Sequence, residues 1–331
     1  MHAIRLHAFG PAENLRYETI SDPQPAPGQV RIAVAAAGVH LIDTALRKGA
    51  AGPYPAPELP TVPGREVAGT VDLVGADVDP NWIGKQVVAH LGMVPGGYAE
   101  LAVTEVSRLH EIPDNLDPAA AVAMIGTGRT ALGVLLFADL GPDSVAIVTA
   151  AAGGLGTLLV QAAKNAGATV LGLAGGPAKV ELVQRNGADL AVDYLRPDWP
   201  DQVRAFLGDR TATILFDSVG GEITRRALDL VGKGGRHLIY GASGSSPKDA
   251  ATPAFSEDEL GARGITSQLV VGPAMLGRVG GDLRPLEDEA MAAAAAGRLR
   301  PAVQRFPLAE AAAAHRALEQ RGTTGKVVLV P

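Results

Sequence analysis

Cysteine is absent from this 331-residue chain. That one absence removes disulfides, thiolate nucleophiles and cysteine-ligated zinc together. Aromatic residues make up only 4%, so the interior has to be built from Ala, Val and Leu. No run of basic residues occurs and the formal net charge is −6, which argues against nucleic acid as a partner. No stretch of about 18 residues is free of Gly, Pro and charge, so no membrane span is expected. The opening residues Met1–Arg5 carry no long apolar region, so no export signal is read and a cytoplasmic location is expected. What remains is 47% hydrophobic and 19% charged, the balance of a globular enzyme, and the length suggests two domains.

Residues 1 to about 122 read as β-rich. Short strands are expected at Ala3–Leu6, Leu15–Thr19, Val30–Ala35, Glu66–Val74, Val87–His90 and Tyr98–Val103, separated by Pro- and Gly-rich clusters such as Asp22–Gly28 and Gly52–Pro63. Strands at this spacing suggest a partly open barrel, interrupted by one short helix from Ile42 to Lys48 that Gly49 ends. Pro118–Phe137 is Ala-rich and helical in pattern, a bridge into the second domain.

From Val145 the chain alternates. Strands are expected at Val145–Thr149, Thr169–Ala174, Leu190–Tyr194, Thr213–Asp217, His237–Tyr240 and Ile265–Val271. Helical patterns fall between them, Ala178–Asn186 and Ile223–Val231 among them, the latter ending in Gly232–Gly235. This is the pattern of a doubly wound parallel sheet, in which ligands sit at the carboxyl ends of the strands. Helices near Leu286–Ala296 and Leu308–Glu319 and a strand Val327–Val330 close the chain and are expected to return to the first domain.

One stretch organises this half. The apolar run Val145–Thr149 breaks into Ala150-Ala151-Ala152-Gly153-Gly154-Leu155-Gly156, and an apolar helix pattern follows at once. Ala151, Gly153 and Gly156 occupy the three positions of G-x-G-x-x-G, with Ala in the first, in the strand–turn–helix context of a dinucleotide-binding loop. Gly153 would let the backbone approach a diphosphate, and Gly156 would let the helix lie close on the strand. Peptide N–H groups at the helix start, those of Gly154 and Leu155 among them, would face the phosphates.

The next strand ends in Gly172-Leu173-Ala174-Gly175-Gly176-Pro177-Ala178-Lys179, with no acid between Asn165 and Val180. A carboxylate here would grip a ribose 2′-hydroxyl. Its absence, the space at Gly175 and Gly176, and the charge of Lys179 favour NADPH over NADH. Phe216–Gly221 and Tyr240–Gly244 end later strands in small residues, leaving clearance for a nicotinamide ribose.

With these residues in view, the chain resembles the zinc-independent quinone oxidoreductases of the medium-chain dehydrogenase/reductase superfamily. The resemblance runs nearly full length, through Met1–Phe9, Ala37–Thr44, Pro63–Gly69, Gly97–Glu100, Ala150–Gly156 with Gln161 and Lys164, Asp217–Gly221 and Thr324–Val327. It implies an α/β chain: a GroES-like, partly open β-barrel catalytic domain of residues 1–122 and 272–331, and a Rossmann domain of residues 123–271, with the active cleft between them. It implies NADPH as hydride donor, with Gly175, Lys179 and Tyr194 at the 2′-phosphate and Thr130 near the nicotinamide. Ser218, Val219, Tyr240, Gly241 and Ser243 would lie along the cofactor, with Val271 and Lys326 also among its contacts. It implies a homodimer made by pairing Rossmann edge strands.

Zinc-dependent relatives carry a catalytic Cys at the position of His40 and Gly-His-Glu at that of Gly64-Arg65-Glu66. Arg is no neutral ligand, and His40 with Asp43 and Glu66 makes no evident tetrahedral set, so no metal is expected. Quinone reductases often have Asn at the position of His40 and Tyr at that of Ala45, which puts quinone preference in question. His40 is the candidate catalytic residue, donating a hydrogen bond or proton to a carbonyl oxygen as charge develops there. A structural histidine holding a backbone group is the other reading. The expected reaction is hydride transfer from NADPH to a quinone or to the β-carbon of an enone, in a cleft lined by Gly92, Met93 and Val271. The alternatives are an enoyl-thioester reductase of the same superfamily and an NADPH-binding sensor with little turnover.

Overall fold

The computed structural model describes residues 1–50, 57–243 and 255–331. Gly244, and the 52–56 part of the Gly52–Pro63 cluster, lie outside the described residues. Met1–Gly128, Glu287–Ala295 and Pro301–Pro331 form one compact unit; Arg129–Leu286 and Ala296–Arg300 form the other. The first changeover falls inside the Pro118–Phe137 bridge.

In chain order the first unit opens with β1 (His2–Leu6), β2 (Leu15–Thr19), β3 (Gln29–Val39), α1 (Leu41–Arg47), β4 (Glu66–Val74), β5 (Gln86–His90), β6 (Leu101–Glu105), β7 (Leu109–Glu111) and α2 (Pro118–Val122). A π-helical turn, Ala123–Gly128, leads into α3 (Arg129–Leu135). Pro118–Leu135 is long and apolar enough by composition to cross a membrane, but 72% of it is buried inside the fold, as in a core helix. The second unit continues with β8 (Val145–Val148), α4 (Gly154–Asn165), β9 (Thr169–Ala174), α5 (Pro177–Arg185), β10 (Leu190–Asp193), α6 (Trp199–Leu207) and β11 (Ala212–Asp217). It ends with α7 (Gly221–Leu228), β12 (Val231–Ile239), α8 (Glu257–Arg263), β13 (Thr266–Leu269), α9 (Pro273–Arg278) and the start of α10 (Arg284–Ala295). The chain then returns to the first unit as β14 (Val303–Pro307), α11 (Ala311–Glu319) and β15 (Lys326–Val330).

The first unit is a seven-stranded sheet in the order β14-β15-β3-β4-β5-β7, with β6 also paired to β3. All its pairs are antiparallel except β14 with β15. Strand β3 runs to Val39, beyond the expected end at Ala35. Its Ala-Ala-Ala-Gly tail has low strand propensity, but β15 pairs with it at Ala37, Gly38 and Val39 and holds it extended. The core joins Ile4, Ile32, Val67, Val87, Tyr98 and Leu329 among others. Helix α2 starts on Asp117, whose carboxylate accepts the N–H groups of Ala119 and Ala120, with Pro118 in the first turn.

The second unit is a six-stranded parallel sheet in the order β10-β9-β8-β11-β12-β13. The chain runs outward from β8 through β9 to β10 on one side and from β11 to β13 on the other, so the switch point where such folds bind ligands lies between β8 and β11. Two expectations are corrected here, and three elements carry no sequence expectation. Val231, read as a helix end, begins β12, and Gly232–Gly235 form a bulge in that strand where the register jumps from Val231 to Arg236 opposite β11. The last strand stops at Leu269, so Val271 lies beyond it. Helices α8 and α9 were not read at all. Strand β14 was also unread, because its half-exposed Val-Gln-Arg-Phe-Pro lies at a sheet edge and pairs only with β15.

Trp199 is fully buried at the start of α6, in a core with Leu171, Leu173, Val203 and Leu215. Replacing it with Ala is expected to lower stability by about 3–5 kcal/mol. Denaturant unfolding checks this, and an unchanged transition midpoint would contradict its place in that core.

Candidate active site

The turn after β8 is tight. Ala150 takes a left-handed conformation at φ 46°, and the Ala151 N–H donates to the Leu173 carbonyl at 3.0 Å. Gly153 caps α4 in extended conformation. A Cβ on Gly156 would stand 2.3 Å from the Ala150 carbonyl oxygen and 2.7 Å from the Ala151 Cα, so only glycine lets the helix approach this closely. The N–H groups of Gly154, Leu155 and Gly156 have no acceptor within the helix they begin, and the helix dipole adds partial positive charge there.

Three strand ends beside this turn are tied together by Thr149 and Asp217, neither of which was singled out as a site residue. The Thr149 hydroxyl donates to Asp217 Oδ1 at 2.9 Å and accepts the Ser218 N–H at 3.0 Å. Asp217 also accepts from the Val219 N–H at 3.0 Å and the Thr224 hydroxyl at 2.7 Å, with His237 Nε2 at 3.4 Å. Burial works to raise the Asp217 carboxyl, but these donors outweigh it and hold it below its ordinary range. Ser243 donates to the Ser218 carbonyl from both its N–H, at 2.7 Å, and its hydroxyl, at 2.8 Å. The Tyr240 hydroxyl donates to the Thr149 carbonyl at 3.4 Å, and burial pushes its ionisation upward. Ser218, Val219, Tyr240, Gly241 and Ser243 therefore lie on one braced edge. The signal for Thr149 and Asp217 was available: a polar residue closing each of two apolar strands.

At the end of β9, Gly175 faces Tyr194, whose hydroxyl would be 3.1 Å from a Cβ there. Lys179 lies half-buried in the first turn of α5. The acid missing from this loop arrives from β10: Asp193 Oδ1 accepts the Gly176 N–H at 2.9 Å and the Leu195 N–H at 3.0 Å. Thr130 lies in the first turn of α3, half-buried, as is Val271.

In the first unit, His40 sits between β3 and α1, where its N–H donates to the Asp43 carboxylate at 2.8 Å. Its Nε2 is 3.0 Å from Glu66 Oε1 on β4 and 2.7 Å from Lys326 Nζ on β15, and Lys326 Nζ is 2.8 Å from Glu66 Oε2. Sequence reading named Lys326 as a cofactor contact; its ammonium lies in this cluster. Two glycines make the space. A Cβ on Gly38 would be 2.3 Å from Glu66 Oε2, and one on Gly126 would collide with Glu66 Oε1 outright. Burial works against charge on both partners. Even so, His40 and Lys326 hold Glu66 far below the usual carboxylate range, and Glu66 raises His40 despite the opposing ammonium. Among the described residues no group of three or more His, Asp or Glu is arranged to hold a metal ion. Lys326 sets a cation of its own against the two side chains such an ion would need.

Behind His40, Asp43 Oδ2 accepts from the Tyr98 hydroxyl at 3.0 Å, and that hydroxyl lies 3.2 Å from His315 Nε2. Arg65 approaches Asp43 at 3.9 Å. Burial raises the Tyr98 hydroxyl well above its ordinary value and lowers His315 to about 4. Of the expected cleft residues, Gly92 and Met93 belong to the first unit and Val271 to the second; Met93 is exposed.

The depressed His315 value fixes a pH dependence. Unfolded, this histidine takes up a proton near 6.5, whereas folded it stays neutral to about 4. Its contribution is therefore complete above 6.5 and is lost as pH falls through that window, by at most about 3 kcal/mol. A His315→Gln variant is expected to flatten that part of the stability–pH curve; an unaltered slope would contradict the assignment.

Residues 154–275 match the family model for a zinc-binding dehydrogenase, and residues 26–114 match that for an alcohol dehydrogenase GroES-like domain. A quinone oxidoreductase of Pseudomonas aeruginosa is 32% identical over 99% of both chains. A 2-haloacrylate reductase of a Burkholderia species is also 32% identical, over 99% of this chain and 98% of its own. The structure of Escherichia coli quinone oxidoreductase complexed with NADPH superposes over 100% of both chains with a TM-score of 0.84 at 27% identity.

Proposed function

We propose that this chain, which belongs to the zinc-independent quinone oxidoreductase branch of the medium-chain dehydrogenase/reductase superfamily, reduces a quinone or an activated alkene with NADPH. The observation that carries this reading is the approach of Gly156 to the Ala150–Ala151 backbone at the sheet's switch point. That approach aims the first amides of α4 out of the strand end, and such a cradle suits a diphosphate. Ala151, Gly153, Gly154, Leu155 and Gly156 would hold it. Gly175, Lys179 and Tyr194 would hold the 2′-phosphate. The Asp193 carboxylate nearby is already engaged by two backbone N–H groups, which offsets its repulsion of an anion. The braced edge of Ser218, Val219, Tyr240, Gly241 and Ser243 would lie along the ribose, with Thr130 and Val271 toward the nicotinamide.

When bound, NADPH supplies the hydride. The chain's own task is to orient, to keep water out and to stabilise the oxygen that gains charge. His40 suits the last of these: its ring is 29% exposed, whereas Glu66 behind it is fully enclosed. A carboxylate-bearing relative substrate, 2-haloacrylate, extends the acceptor class from quinones to alkenes polarised by a carbonyl. We place the enzyme in the cytoplasm. We also read it as a homodimer paired through β13, one of the two edge strands of the parallel sheet, whose Leu269 is 58% exposed.

Fluorescence titration is expected to give NADPH an affinity at least about tenfold above that of NADH. Lys179→Glu should abolish the difference by weakening NADPH alone; equal affinities in the parent protein would overturn the cofactor assignment. His40→Ala is expected to lower kcat about 100-fold at unchanged NADPH affinity, and a rate equal to the parent's would make His40 structural.

A further inference from the structure

The cluster behind His40 contains two charged side chains that orientation of the ring alone does not require. Lys326 is 4% exposed and Glu66 not at all, whereas the imidazole reaches solvent. The 2.7 Å line between Lys326 Nζ and His40 Nε2 needs a single hydrogen in it. Two donors cannot face each other at that distance, and neither can two lone pairs. Glu66 spans both nitrogens with its two oxygens, at 3.0 and 2.8 Å. The other groups facing the ring are already engaged. Asp43, 3.7 Å from Nδ1, accepts the His40 N–H and the Tyr98 hydroxyl. Arg65 and His315 stand behind Asp43 and Tyr98, and His90 lies opposite Glu66 in the β4–β5 register.

We propose that Lys326, balanced by Glu66, is the proton reservoir of the reaction and acts through His40. The inference rests on the reductase reading above. The Lys326 ammonium donates to Nε2, which leaves the ring as the Nδ1–H tautomer, with Nδ1 3.7 Å from Asp43 Oδ2. When the acceptor carbon gains hydride from NADPH, its oxygen takes the Nδ1 proton. The electron pair of that N–H bond stays on the ring, and a proton passes from Nζ to Nε2. The ring ends neutral as the Nε2–H tautomer, Lys326 ends as the amine, and Glu66 remains a carboxylate. Water then returns a proton to Nδ1, and the Nε2 proton goes back to Nζ. Lys326 and Glu66 are positioning residues: neither touches the acceptor.

Long-range nitrogen–proton NMR of the full chain, with His40 assigned from the spectrum of His40→Asn, tests this without turnover. Above its titration midpoint, parent His40 is expected as the Nδ1–H tautomer, with Nε2 unprotonated; an Nε2–H tautomer overturns the proposal. In Lys326→Met the ring keeps the carboxylate and loses the ammonium. The tautomer should therefore reverse and the midpoint rise by about one unit or more. Identical titrations in the two proteins overturn the proposal, and if the Met variant does not fold, the parent tautomer decides alone. Kinetics supply the second arm. Lys326→Arg keeps the charge but cannot give up a proton, so kcat should fall at least about tenfold with NADPH affinity unchanged, and a parent-like kcat overturns the relay. Absence of turnover with every quinone and enone would count against the reductase reading, while the tautomer result would still stand.

Discussion

A carboxylate sealed from water must find its counter-charge inside the protein, and Glu66 sets that condition for the first unit. Removing a charge from solvent costs several kcal/mol unless ion pairs and hydrogen bonds offset it. The backbone of Glu66 is fixed by β4 between β3 and β5, so its surroundings have to conform. Gly38 and Gly126 give it room, β15 brings the ammonium of Lys326, and the break between β3 and α1 turns His40 inward against it. The late extension of β3, the pairing of β15 and the N-terminus of α1 are thus three answers to one electrostatic demand.

The second unit meets a different constraint, one of distance. Its helix can aim amides outward only if it lies almost on the strand that precedes it, and Gly156 is where that approach is closest. Around it the strand ends are braced rather than loose. Asp217 gathers donors from Thr149, Val219 and Thr224 into one buried node. Such a node keeps the edge in a single arrangement, the condition for holding a flat ring against an acceptor with little reorganisation.

Most of the parallel sheet was legible. Strands β8, β9 and β11 are short apolar runs, their carboxyl ends and that of β12 open into small residues, and the Ala151–Gly156 turn sits in its proper context. Legibility failed where local signals mislead. Gly232–Gly235 carries the usual mark of a helix end, yet it is a bulge inside β12, whose Val231 and Arg236 pair with β11 on either side of it. Val303–Pro307 has too polar a face to announce itself and becomes a strand only because β15 lies beside it. Asp43 and Glu66 could be grouped with His40 in the sequence, but the joining of Lys326 to them was hidden for another reason. Glu66 and Lys326 each precede an apolar run, Val-Ala-Gly and Val-Val-Leu-Val, which hints at burial. No periodicity, however, says that residues so distant in sequence neutralise one another. Asp193 is a similar case: the acid lies on a different strand from the loop it closes.

The contact between Lys326 and His40 joins residues 286 positions apart, and the whole second unit is translated between them. A growing chain therefore carries Glu66 and His40 for most of its synthesis with no ammonium to meet the carboxylate. Until β15 arrives, Glu66 must stay hydrated or take up a proton, and β3 lacks its neighbour along Ala37–Val39. The nascent nucleotide-binding half can close on itself while the barrel half waits, so the last strand to emerge is also the one that makes the acid–base cluster electrically complete.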